Sequence, residues 1–189
     1  MMILNGYRLI IVVVLTVLFF DVNYSQESGT IDQLLIESSI VYDSDPDSSF
    51  KLCCQAEEEA VKIGESKNLG DIAYCKGRYY LLKTQYGKSS EELNKAVLFY
   101  EDNDDFRGLS ATYSLQSILL ERIGDFDAAH NTLLLAYEID RENGDLVGQS
   151  HTVANLILDY VPSELDSALY FLKVQDTLKD YIEGTSLYY

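Results

Sequence analysis

The chain has 189 residues, 47% hydrophobic and 24% charged, with 31 acidic against 14 basic residues and a formal net charge of −17. A chain this acidic, with no local basic cluster, repels phosphate backbones, which argues against nucleic acid as a partner. The acidity suits solvated helix faces, and the length suits one ordinary domain.

Residues 9–20 form an apolar run with Thr16 as its one polar member, preceded by Arg8. Twelve helical residues rise about 18 Å, short of the roughly 30 Å hydrocarbon core of a bilayer. Residues 1–25 therefore read as a secretory signal peptide cut at Ser25–Gln26, the alternative being an uncleaved membrane anchor. No later apolar run is long enough to span a bilayer. The expected location is periplasmic or otherwise extracytoplasmic, with membrane contact only through an uncleaved signal or a missing C-terminal region.

Residues 26–46 read as a helical lead-in. Residues 31–42 look helical, with Leu34, Leu35, Ile36 and Ile40 apolar, and Ser44-Asp45-Pro46-Asp47 punctuates. Asp45 suits a helix N-cap with Pro46 in the first turn, where its missing N–H costs nothing. Phe50, Cys53, Cys54, Ala56, Ala60 and Ile63 then recur at three- and four-residue steps, the mark of a buried helical stripe.

Three cysteines are an odd count for an exported protein. With a turn placed near Asn68, Cys75 falls level with Val61, and Cys53 and Cys54 lie roughly 10 Å further along the axis. That offset predicts no disulfide and three small buried thiols at helix contacts. No metal site is expected, because no His or second Cys pair completes one.

Residues 64–70 break the stripe. Helices are expected over 72–86 and 93–100, with a turn at Gly87-Lys88-Ser89-Ser90 and a Glu91–Lys95 pair on the exposed side. A helix over 109–123 follows, then Gly124-Asp125-Phe126-Asp127, and a second helix opening at Ala128-Ala129. Gly124 suits a helix C-terminus with positive φ, and Asp125 an N-cap. Residues 141–148 read as a polar connector. Residues 150–160 form the next helix, Pro162 ends it, and Ser163 with Asp166 resembles a capping box before a helix carrying Ala168, Leu172 and Leu178.

These elements repeat. Gly70, Gly108, Gly148 and Gly184 stand before apolar runs at spacings of 38, 40 and 36 residues, and Ala60, Ala96 and Ala136 at 36 and 40. Such a period marks stacked helix pairs. Gly184 falls on schedule, so 185–189 read as the opening turn of a further helix and the chain as cut short. Gly124-Asp125-Phe126-Asp127-Ala128-Ala129, with Leu133 and Ala136, resembles the second half of a tetratricopeptide repeat (TPR), and residues 165–171 resemble the same element one repeat later. The resemblance covers 47–189, in the longer-period form found in bacterial sensor and regulatory proteins. Tyr113 stands where the family has Trp. It implies an all-α, right-handed α-solenoid of antiparallel helix pairs, with Phe126 filling a groove and Ala129 and Ala136 at close helix contacts.

No catalytic constellation is legible. His130 and His151 read as ordinary helix residues. Glu57-Glu58-Glu59 fans over three faces of a helix and cannot converge on an ion. Each Gly is isolated, so no phosphate loop forms. No enzyme, cofactor or metal is expected. The family resemblance places Lys76, Tyr80 and Lys83, then Ser114, Ile118, Glu121 and Arg122, then Ala154 and Leu158, on a concave groove, implying a protein or peptide partner carrying acidic groups. The resulting expectation is an exported interaction module, either the extracytoplasmic sensing part of a bacterial signal-transduction protein such as a sensor histidine kinase, or a stand-alone envelope scaffold or adaptor.

Overall fold

The computed structural model describes residues 29–64, 66–160 and 164–186. The signal segment, Pro162, Ser163 and residues 187–189 lie outside the described residues. Among those described there are eight α-helices and no strand. They are α1 (29–41), α2 (Pro46–Ile63), α3 (Leu69–Leu82), α4 (Tyr86–Asp102), α5 (Phe106–Ile123), α6 (Phe126–Glu142), α7 (Leu146–Tyr160) and α8 (Leu165–Ser186). None is long and apolar enough to cross a membrane.

The connectors explain the spacing. Backbone φ is positive at Gly64 (70°), Thr84 (57°), Asp104 (54°), Gly124 (88°) and Gly144 (67°), one residue every twenty. A left-handed residue ends a helix by breaking its hydrogen-bond ladder while satisfying the last carbonyls. Gly64 and Gly124 N–H groups do this by donating into the preceding turn. At four connectors an aspartate or glutamine follows or ends the turn. Asp105, Asp125 and Asp145 each accept, through their carboxylates, the backbone N–H three residues on, at 3.0, 3.2 and 3.1 Å. Asp45 does the same for Ser48 at 3.0 Å, with Pro46 in the first turn as expected.

The expected turn at 87–90 is corrected. Those residues lie inside α4, and the connector is Lys83-Thr84-Gln85. Ser89 is buried and donates its hydroxyl to the Gly77 carbonyl at 2.9 Å, which a surface turn would not permit. Lys95 pairs with Glu92 at 2.8 Å instead of Glu91. At the other end, α8 runs through Gly184 to Ser186, so no new helix opens there.

Two compact units divide within α3, one ending at Ile72 and the other beginning at Ala73. In the first, Ile31, Ala56, Ala60 and Ile72 form the core, with Leu34, Leu35 and Ile63 around it. The Ser38 hydroxyl lies 2.9 Å from that of Ser49 and 3.0 Å from the Cys53 sulfur, tying α1 to α2. Asp32 accepts from Asn68 Nδ2 at 2.6 Å and pairs with Lys67 at 3.3 Å.

In the second unit each helix packs on its sequence neighbour from α4 through α8, and α5 also touches α7. Leu133, Val153, Leu156, Phe171 and Leu178 form its largest core cluster. Tyr160 stacks on Phe171 with centroids 5.6 Å apart, and Tyr137 meets the same ring edge-on at 5.5 Å.

The buried positions recur at forty residues. Ser49, Ser89 and Ala129 are buried, as are Cys53, Leu93 and Leu133, then Ala56, Ala96 and Ala136, then Ala60, Tyr100 and Asp140. Ala60 therefore belongs with Tyr100 and Asp140, one helical turn beyond the alanine series that the sequence suggests.

The cysteine expectation is also overturned. Cys53 and Cys75 are disulfide-bonded, and Cys54 keeps its thiol. The connector is centred near residue 66, not 68, which halves the axial offset of Cys53 from about eight residues to about four, or ~6 Å.

Ala129 is 2% and Ala136 0% exposed, and the Ser110 hydroxyl reaches the Ala136 carbonyl at 3.1 Å. Replacing Ala129 with Leu adds three carbons where no space exists and is expected to cost about 1–3 kcal/mol. Urea unfolding checks this; an unchanged midpoint would contradict the close contact.

Candidate ligand-binding groove

The connectors that set the period also place the groove. Gly108 and Gly148 are the third residues of α5 and α7, and each donates its N–H to the aspartate that caps its helix. Both glycines permit a close approach from the preceding helix. A Cβ on Gly108 would stand 2.3 Å from the Tyr100 ring, and one on Gly148 2.6 Å from Asp140 Oδ1. Thr112 and Thr152 hydroxyls reach the carbonyls of those same glycines at 2.7 and 2.8 Å. The two repeats thus share one framework and differ at its centre, where Tyr100 supplies a ring and Asp140 a carboxylate.

Asp140 is 3% exposed. The Thr152 hydroxyl lies 2.9 Å from its Oδ2, and the Asp140 backbone carbonyl accepts from Gln149 Nε2 at 3.2 Å and Asp145 N at 2.9 Å. Burial pushes its carboxyl above the usual range. The Ser110 and Thr152 hydroxyls oppose that, the Asp145 charge adds to it, and His151 opposes it.

Asp140 opens on space. A cavity of about 190 Å³ is lined by Arg107, Ser110, Ser114, His151, Thr152 and Asn155, with Tyr74 beside them. Another, about 300 Å³, lies between the connectors and is bounded by Asp104, Asp105, Arg107, Asn143 and Asp145. Arg107 Nε donates to Asp145 Oδ2 at 2.8 Å.

Asn155 also borders a larger cavity of about 510 Å³, with Ile118, Glu121, Phe126, Leu158 and Asp159 on its walls. Phe126 is 68% and Leu158 72% exposed, so the expected filling of the groove by Phe126 is not observed. The ring borders this cavity and leaves it open. Burial raises the Glu121 carboxyl, the Asp159 charge raises it further, and Arg122 pulls it down. Asp159 is held by His130 Nδ1 at 2.5 Å, and His130 Nε2 meets the Tyr160 hydroxyl at 3.1 Å. His130 is thus a strut between α6 and α7.

The residues expected on the groove are dispersed over these surroundings. Ser114 lines the small cavity, and Ile118, Glu121 and Leu158 the large one. Lys76 is half-buried, 3.8 Å from Glu92, which also receives Lys95. Lys83 sits 5.3 Å over the Tyr79 ring, and Tyr80 takes Lys88 over its own ring at 5.2 Å. Arg122 is exposed, with Glu121 within electrostatic reach, and Ala154 is exposed. Sequence reasoning missed Arg107, Asp140, Thr152, Asn155 and Asp159. A forty-residue alignment on Ala60, Tyr100 and Asp140 would have marked Asp140 as a charge in a buried column. Among the described residues no cluster of His, Cys, Asp or Glu could hold a metal ion.

No protein-family model matches this chain, and no curated protein matches it in sequence.

The raised Asp140 carboxyl fixes a pH dependence. A group that binds its proton more tightly when folded contributes stability that is complete below the unfolded carboxylate value of about 3.9, and loses it as pH rises through the folded value. Asp140→Asn stays neutral throughout. Its melting temperature is expected to gain on the native protein as pH rises above about 4. A difference that does not change with rising pH would contradict the assignment.

Proposed function

We propose that this chain is an exported interaction module of the tetratricopeptide type, an α-solenoid of antiparallel helix pairs that holds a protein or peptide against α5 and α7. The observation that carries this reading is the forty-residue recurrence of the same buried positions and the same capping contacts, together with a groove bordered by exposed apolar side chains. Repeats of this kind bury apolar surface against neighbours and leave one face for a partner. An exposed apolar patch rimmed by polar groups is a common docking surface. The module has no catalytic role and no cofactor.

The charges on the groove bear on the partner. Lys76 is engaged by Glu92, whereas Glu121 and Asp159 stand beside Ile118, Phe126 and Leu158. The partner segment this wall favours is apolar with a basic flank, in place of an acidic peptide. Export is supported by the leader-like residues 1–25 and by the disulfide-bonded Cys53 and Cys75, since such bonds persist in oxidising compartments.

Two measurements test this. Leu158→Glu adds a carboxylate at a site 72% exposed, so helicity and melting temperature should hold while partner capture from an envelope extract is lost. Equal capture by both proteins would remove the groove from the account. A thiol-reactive polymer tag added to protein recovered from cells should label one of the three cysteines before reduction and all three after. Three labels without reduction would contradict export.

A further inference from the structure

A buried carboxylate is costly unless a cation meets it or a proton neutralises it. Among the described residues no cation lies at ion-pair distance from Asp140; its neighbours are the hydroxyls of Thr152 and Ser110. Arg107, which lines the same cavity, is turned to Asp145. In the preceding repeat Tyr100 occupies the equivalent position with an uncharged ring over Gly108, so the framework does not require a charge there.

We propose that the cavity of about 190 Å³ beside Asp140 is a subsite for a primary ammonium, carried by a lysine side chain or by the free amino terminus of a peptide. Asp140 supplies the countercharge. The oxygens of Ser114 and Asn155, which border the same space, supply acceptors for the remaining N–H groups, because an ammonium has three donors and no acceptor. A guanidinium is a poorer fit. Its planar fork binds best across both carboxylate oxygens, and here Oδ2 is engaged by Thr152 while Oδ1 stands over Gly148. The other titratable groups facing the cavity are Tyr74, Asp145, Arg107 and His151. Of these, Asp145 and Arg107 neutralise each other, Arg107 Nε lying 2.8 Å from Asp145 Oδ2. The subsite rests on this cavity and not on the interaction-module reading, so loss of partner capture leaves it standing.

The test uses the whole isotope-labelled chain at about pH 7, titrated separately with N-α-acetyl-lysine amide, glycine amide and N-α,N-ε-diacetyl-lysine amide. Amide shifts at Ser110, Asp140 and Thr152 are the readout. Shifts with the lysine probe assign the side-chain amine, shifts with glycine amide assign the amino terminus, and shifts with both support the shared chemistry. The diacetylated probe, which lacks the charge, is expected to give none. Asp140→Asn should weaken binding roughly tenfold or more. Asp140→Tyr, which places the ring of the preceding repeat in the cavity, should abolish it. Absence of shifts with both amines, equal shifts with the diacetylated probe, or undiminished binding by Asp140→Asn would each overturn the proposal. If the variants do not fold, the charged and uncharged probes on the native chain still decide.

Discussion

The left-handed turn taken every twenty residues is the constraint on which the rest of this structure depends. Positive φ at residues 64, 84, 104, 124 and 144 ends a helix at each of five evenly spaced points, and after the last four the next helix begins two residues later. Glycine takes that conformation at three of the five. Thr84 and Asp104 take it at a steric cost of about 1–2 kcal/mol each, because their Cβ crowds the following carbonyl. That they hold it means the helices on either side fix the turn. Ser89 anchored on the Gly77 carbonyl, and Tyr100 packed over Gly108, are contacts that would be lost if either connector relaxed.

Evenly spaced turns have an immediate consequence for burial. Positions forty residues apart fall at the same place within their own helix, so α2, α4 and α6 each bury the same four columns of the forty-residue register. Three of those columns are filled by small or aliphatic residues. The fourth runs Ala60, Tyr100, Asp140, and each member requires a different neighbour. Ala60 packs with Ile72, Tyr100 lies over Gly108, and Asp140 needs the Thr152 hydroxyl. The site arises from this variation inside a fixed frame. Exchanging a ring for a carboxylate removes volume and adds charge at that position, and two cavities border Asp140.

The helices were legible in the sequence because their apolar steps and capping aspartates are local signals. Asp45 with Pro46, and Gly124 with Asp125, behave as their chemistry dictates. The true period was obscured because Thr84 and Asp104 do not look like turn residues in the way that glycine does. With those two steps hidden, Gly87 was read as the turn and Gly184 as the next helix start, and the spacing came out uneven. The disulfide is hidden for a separate reason: α3 starts at Leu69, and a connector shifted by two residues changes the level of Cys75 against Cys53. The groove was half legible. Ser114, Glu121 and Leu158 were placed by repeat alignment, whereas Asp140 and Asp159 depend on tertiary burial that no local pattern reports.

The measurement that bears most directly on this account is the unfolding free energy of Thr84→Gly. If Thr84 is held at φ 57°, glycine relieves the crowding of its Cβ, and the variant is more stable than the native protein by up to about 1 kcal/mol. A loss of roughly 0.5–1 kcal/mol, the usual cost of glycine at a position with ordinary backbone geometry, would show that the chain does not turn there.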